Sequence, residues 1–305
     1  MADKRDLDFT YSMIDKVFRL SIGEMGDFSG ARYNGNFSMT LEEAQRAKHQ
    51  FIVDQLGIKK GTNVLDMCCG WGPFLNFIRN IGAKGIGLTL AEGQVNACRK
   101  NGLDVYLKDV LTVKPADHGI FDAITAVGGF EHFCTLEDYK EGRQEEVYRK
   151  FFKTIYELLP TGGRFYMQTM VFGKNMIAQE KFNINADKNS DEYICAVVSD
   201  FFPGSWLPYG SEMVTRNAEP LFKMINISSG RLDYIETTDQ WVKKVWKFDL
   251  KKYLLFLRLL PQVIFKKEFR IKLNMLNDRA NKKCFEREIM DHFRIVFEKV
   301  QANFN

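Results

Sequence analysis

No stretch of this chain approaches the roughly 18 uninterrupted apolar residues of a membrane-spanning helix. Its start, Met1-Ala2-Asp3-Lys4-Arg5-Asp6, is charged where a secretory leader would be apolar. Cysteine is sparse, and Cys68, Cys69, Cys98, Cys134, Cys195 and Cys284 show no paired zinc-ligand spacing. Adjacent Cys68 and Cys69 would make a poor disulfide. These absences predict a reduced, cytoplasmic chain with no metal centre. Repeats and low-complexity tracts are missing too. Net charge is only +4, and nucleic acid is not among the expected partners.

The charge is unevenly spread. From Lys243 to Lys272 ten Lys/Arg face only Asp249 and Glu268, a local +8 that leaves −4 for the remainder of a +4 chain. Inside that segment Tyr253-Leu254-Leu255-Phe256-Leu257-Arg258-Leu259-Leu260 continues past Pro261 to Phe265. Basic flanks around apolar residues suit a peripheral segment lying on an anionic membrane, or one facing a diphosphate. They equally suit a cap helix whose apolar side faces the core while its lysines are solvated, and that is the arrangement expected here.

Apolar residues make up 45% of the 305, with 26 Phe, enough for a large core and an aromatic-lined cavity. Residues 1–60 read as a helical segment covering the site, with Thr40-Leu41-Glu42-Glu43 as a helix-start signal. Residues 61–305 read as the main domain: strand 63–67, helix 74–81, strand 85–88, helix 92–101, strands 105–107 and 121–127, helix 145–159 and strand 163–171. Segments 231–237 and 293–300 alternate well enough for the last two strands. Cap insertions are expected at about 172–230 and 240–290. Alternating strands and helices predict an α/β fold, a doubly wound, mainly parallel, seven-stranded sheet of Rossmann-like type.

The most specific stretch is Val64-Leu65-Asp66-Met67-Cys68-Cys69-Gly70-Trp71-Gly72, followed by Gly85-Ile86-Gly87-Leu88-Thr89-Leu90. A strand entering a small-residue turn and then a helix opens a nucleotide pocket at the carboxyl ends of the sheet. The spacing Asp-x-Cys-x-Gly-x-Gly lacks the third glycine of a pyrophosphate cradle, so it points to a ligand without phosphates, S-adenosylmethionine (SAM). Asp66 should accept a bond from the amino group of that ligand. The acid about 20 residues on that would hold ribose hydroxyls is missing; Thr89, Leu90 and Gln94 stand there instead. Asp109, after the third strand, is placed for adenine.

Gly128-Gly129-Phe130-Glu131-His132-Phe133 follows a buried strand at the same edge. Glu131 is therefore a carboxylate among aromatics beside the reactive end of the ligand, where it must be paired, protonated or bound to a cation. Phe130, Phe133, Trp206 and Tyr209 could stabilise a cation through their ring faces.

Together these pieces resemble the cyclopropane fatty acid synthases and mycolic acid cyclopropane synthases, a branch of the class I SAM methyltransferases. The matches are Met39 through Lys48, Val64-Leu65-Asp66 with Cys69-Gly70-Trp71-Gly72, Gly87-Leu88-Thr89-Leu90 with Gln94, Phe130-Glu131-His132-Phe133, Leu158-Leu159-Pro160 with Gly163, Phe202-Pro203-Gly204 with Leu207-Pro208, and Tyr234 with Trp241. The resemblance implies that Tyr33, Gly70, Gly72, Thr89 and Gln94 contact SAM and that Glu131 lies at the methyl-acceptor site. It further implies alkene attack on the sulfonium methyl, with a bicarbonate held by Cys, Glu, His and Tyr side chains removing the final proton.

Several positions depart from that pattern. Ala31 stands at the family's cysteine, Gln168 at its histidine, and the family's late tyrosine is expected near 287–289, where there is none. Cys68 replaces the first glycine of the turn. Three readings follow. The first is C-methylation, or cyclopropanation, of an unsaturated lipid acyl or prenyl chain, with Phe130, Gln168, Trp206 and Tyr209 near the substrate. The second is N- or O-methylation of a small molecule, and the third is a SAM-binding protein that has lost catalysis.

Overall fold

A computed structural model describes residues 22, 25–247, 249–265 and 279–301. Residues 1–21 of the expected N-terminal segment, and Lys266, Lys267, Arg270 and Lys272 of the basic segment, lie outside the described residues.

Helix α1 (Leu41–Leu56) starts where Thr40 and Glu43 cap each other: the Glu43 amide donates to Thr40 Oγ1 at 3.3 Å, and the Thr40 amide donates to Glu43 Oε2 at 2.8 Å. The core then alternates as β1 (Asn63–Asp66), α2 (Pro73–Ile81), β2 (Lys84–Thr89), α3 (Glu92–Lys100), β3 (Asp104–Leu107), β4 (Ala123–Val127), α4 (Gln144–Leu158) and β5 (Arg164–Phe172). After it come α5 (Asp191–Phe201), α6 (Gly210–Ala218), β6 (Phe222–Ser229), α7 (Arg231–Trp246), α8 (Leu250–Phe265), α9 (Ala280–Glu286) and β7 (Met290–Lys299).

The seven strands form one sheet in the order β3-β2-β1-β4-β5-β7-β6. Strands β1 to β5 pair in parallel, and β7 runs antiparallel between β5 and β6. The order reverses between β1 and β4, so their carboxyl ends flank the crevice where a doubly wound sheet binds its ligand. Aromatic packing fixes α4 against the sheet: Phe151, Phe152, Phe165 and Phe297 are fully buried.

One expectation needs correction. Segment 231–237 is the first half of α7, not a strand. Its buried positions, Asp233, Tyr234, Thr237, Thr238, Trp241 and Val245, recur every three to four residues, the helical period. The missing strand is β6, at the sheet edge, where Lys223, Asn226 and Ser228 leave little alternation to read. Within 172–230, therefore, lie two helices and a strand of the sheet.

On α8 the described apolar side chains Leu250, Tyr253, Leu254, Leu257, Leu260, Ile264 and Phe265 are all exposed, each by at least 49%. Their spacing of three or four residues places them along one stripe of the helix. Among the described residues no helix is long and apolar enough to cross a membrane.

Candidate active site

At the end of β1 the chain turns through Gly70 (φ +53°) and Gly72 (φ +76°), left-handed conformations that glycine adopts without the clash a side chain meets. Gly72 caps α2, with Pro73 next at the helix start. A Cβ on Gly72 would stand 2.5 Å from Leu103 Cδ1. Cys68, at the family's first glycine, is accommodated by Gly129: a Cβ there would overlap its Sγ.

This turn is one wall of a cavity lined by Asp66, Cys68, Gly70, Trp71, Thr89, Leu90, Gln94, Asp109, Glu131 and Gln168, all at the carboxyl edge of the sheet. Asp66 is 3% exposed and its Oδ1 has no hydrogen-bond partner. Burial raises its carboxyl to about 7. Thr89 donates to Gln94 Oε1 at 2.5 Å and accepts from the Ala91 amide at 3.2 Å, so the pair is tied together at the cavity wall. Asp109 accepts from the Leu111 amide at 2.9 Å.

A ligand with a cationic amino-acid end fits this wall. The orphaned Asp66 oxygen can accept from an ammonium group, and the glycine turn lets backbone approach it closely. SAM is such a ligand.

Glu131 occupies a short helical turn, Phe130–His132, after β4. It is 3% exposed; Oε1 accepts from the Met170 amide at 2.8 Å, while Oε2 has no partner. Burial raises this carboxyl to about 7 as well. Glu131 also lines a second cavity, whose other walls are almost entirely apolar: Met170, Phe172, Met176, Phe182, Phe202 and Trp206 among them. Glu131, His132, Met170 and Phe202 belong to both cavities. The carboxylate therefore stands where the turn-walled cavity meets an apolar one.

Other expected residues lie elsewhere. Tyr33 and Gly72 line neither cavity: Tyr33 packs in the core at 1% exposure, and Gly72 shapes the turn. Phe130 is also core, its ring 4.6 Å from Tyr148 and 5.0 Å from Phe151. Tyr209 is 38% exposed and packs on Phe172, outside both cavities. Gln168 lines the first cavity, but both ends of its amide are occupied. Nε2 donates to Gly30 O at 2.9 Å and Oε1 accepts from Tyr166 at 3.1 Å, which pins residue 30 to the sheet.

Sequence reading missed two residues. Tyr234, from α7, lines the cavity, so a tyrosine reaches the site from a helix and not from 287–289. His292, from β7, lines it too. Beside them, Asp27 receives Lys48 at 2.6 Å and His49 at 2.9 Å. Burial alone would raise the Asp27 carboxyl, but Lys48 and His49 together hold it below the usual carboxylate range.

The family described as mycolic acid cyclopropane synthetase matches residues 1–252. Cyclopropane mycolic acid synthase 3 of Mycobacterium tuberculosis is 29% identical over 238 residues, 76% of this chain and 78% of that protein. The cyclopropane synthase MmaA2 of Mycobacterium tuberculosis superimposes with a TM-score of 0.75 at 22% identity, covering 97% of this chain and 98% of that one. Mycolic acid cyclopropane synthase CmaA1, solved with SAH and CTAB, superimposes with a TM-score of 0.74 at 22% identity, over the same shares of each chain.

Proposed function

The chain belongs to the mycolic acid cyclopropane synthetase family, and from that premise we propose that it transfers the methyl group of SAM to a carbon of an unsaturated apolar chain, a lipid acyl or prenyl group. One observation carries the reading: Glu131, with an unpaired oxygen, lies on the shared wall of the cofactor cavity and an apolar cavity. An apolar chain seated in the second cavity would bring its double bond up to the first.

When bound, SAM supplies a methyl group activated by its sulfonium. Asp66 accepts from the ammonium end, and the turn through Gly70 and Gly72 shapes the wall it rests on. Glu131 faces the positive charge that develops on the alkene carbon, and the rings of Phe202 and Trp206 face the same space. The apolar walls of Met170, Met176 and Phe182 exclude water, which would otherwise trap a carbocation.

The apolar stripe of α8 would lie on an anionic lipid surface. Lys243 and Lys247, near the end of α7, are exposed and supply complementary charge. Such contact would bring membrane acyl chains to the enzyme, and a peripheral cytoplasmic location follows from it.

The test is methyl-labelled SAM added to a whole-cell extract, followed by phase partition. Label in the organic phase supports chain methylation. Label in the aqueous phase supports the second reading, in which the unpaired Glu131 oxygen holds an amine, or the first reading with a prenyl diphosphate as the acceptor. SAM binding with no label in either phase favours a protein that has lost catalysis.

A further inference from the structure

We propose that His292 is the base that ends the reaction, its imidazole taking the proton released by the methylated substrate cation. The proposal rests on the methyl-transfer reading above.

His292 stands on β7 opposite Met170 on β5, and residues directly opposite on antiparallel strands share a face. Its ring is therefore placed beside the residue whose amide holds Glu131. Two glycines leave it room: a Cβ on Gly230 would stand 2.3 Å from Nδ1, and one on Gly30 would stand 3.3 Å from Nε2. The ring of Tyr234 lies 5.1 Å away. His292 is 2% exposed, yet Nδ1 has no hydrogen-bond partner. A buried imidazole with an idle nitrogen, at a cavity wall, is costly unless it serves the ligand.

The other bases in that cavity are committed or misplaced. Lys48 and His49 are held by Asp27. His132 Nδ1 lies 2.9 Å from Ser205 Oγ. Asp66 and Asp109 belong to the cofactor end. The family's anion has lost two of its holders, because Ala31 has no thiol and Gln168, in place of a histidine, is already bonded at both ends of its amide. Glu131 has a free oxygen, but by taking the proton it would lose the charge that faces the cation. Burial, with Arg294 and Lys48 nearby, keeps the imidazole well below its ordinary range and so neutral. A carbocation is acidic enough for a weak base to suffice.

The electrons balance as follows. The alkene pair forms the new carbon–carbon bond while sulfur keeps the pair of the methyl–sulfur bond. A carbon–hydrogen pair then closes a ring from the new methyl, or forms a double bond from the neighbouring carbon. The proton passes to the His292 imidazole and is given up to water when product leaves.

The experiment uses His292→Ala, methyl-labelled SAM and vesicles of monounsaturated phosphatidylglycerol, with SAH binding measured in parallel. Turnover should fall at least about 100-fold with SAH affinity unchanged. Added imidazole should restore turnover, whereas pyrrole, a ring of the same size without a basic nitrogen, should not. Unchanged turnover, rescue by pyrrole, or parallel loss of SAH affinity would overturn the proposal. Should the alanine variant fail to fold, the wild-type His292 nitrogen resonances should shift when a long-chain ammonium amphiphile is added, and their constancy would overturn it equally. A wild-type enzyme that leaves every lipid unlabelled would instead refute the methyl-transfer reading, while the resonance measurement would still report on His292.

Discussion

Met170 and His292 face one another across β5 and β7, and the Met170 amide donates at 2.8 Å to Glu131 Oε1. The carboxylate at the junction of two cavities is thus positioned by the backbone of the same strand pair that carries the imidazole. Local sequence could not bring these residues together; the antiparallel register of two strands more than a hundred residues apart does.

Replacing Glu131 by Gln keeps the shape and the acceptor for the Met170 amide but removes the negative charge. Methyl transfer to carbon should fall by about 100-fold or more, while SAH affinity, measured by calorimetry, stays close to wild type. Undiminished activity would remove Glu131 from the chemistry.

Proton linkage gives a second prediction. Asp66 rises from 3.8 to about 7 and Glu131 from 4.5 to about 7, both chiefly through burial. The folded protein therefore holds protons that the unfolded chain has released. The stability these two groups contribute should be full below about pH 4, decline as pH rises from there to about 7, and fall no further above it. SAM brings positive charge and favours both ionised forms, so its binding near pH 7 should release protons and tighten as pH rises. Calorimetry in buffers of different ionisation enthalpy measures this directly. A binding enthalpy indifferent to buffer would contradict it.

Gly72 has φ +76° and no room for a Cβ beside Leu103. Gly72→Ala should cost about 1–2 kcal/mol from the left-handed backbone alone, more if Leu103 cannot move, and should weaken SAM binding by distorting the turn. Thermal unfolding with and without SAH separates the two effects.

Gln168→Leu would leave the Gly30 carbonyl without its donor. A buried acceptor left unpaired costs about 1–3 kcal/mol, so this variant should unfold more easily in denaturant titration. Equal stability would show that residue 30 is held without Gln168.

The α8 stripe predicts vesicle binding that rises with anionic lipid and falls with salt. Leu257→Asp, at an exposed position, should leave the fold intact and weaken sedimentation with vesicles about tenfold or more, the effect of withdrawing one leucine from an apolar layer. Binding indifferent to both salt and this substitution would leave α8 a solvated cap.

The turn from Asp66 to Gly72 was legible because left-handed backbone demands glycine at fixed positions, and the parallel half of the sheet followed from alternating strands and helices. The β6–α7 boundary was not. Edge strand β6 buries too little to alternate, and α7 briefly mimics a strand at its start. That error hid Tyr234, which reaches the cavity only because residues 231–246 are helical. His292 carries no local signal, since a lone histidine in a strand becomes a site residue only through its cross-strand partner. Phe130 and Tyr33 lie near the ligand cavity in sequence terms but are drawn into the core by their apolar surface. The side of α8 that faces outward was likewise invisible to periodicity, which reports a stripe without saying what covers it.

The central claim, transfer of a methyl group to carbon, is tested most directly by locating the label. Vesicles of monounsaturated phospholipid would be incubated with the enzyme and carbon-13 methyl-labelled SAM, and the recovered lipid examined by NMR. The account predicts the labelled carbon bonded to carbon within the acyl chain, as a ring methylene or a methyl branch. Label found only on nitrogen or oxygen would contradict it.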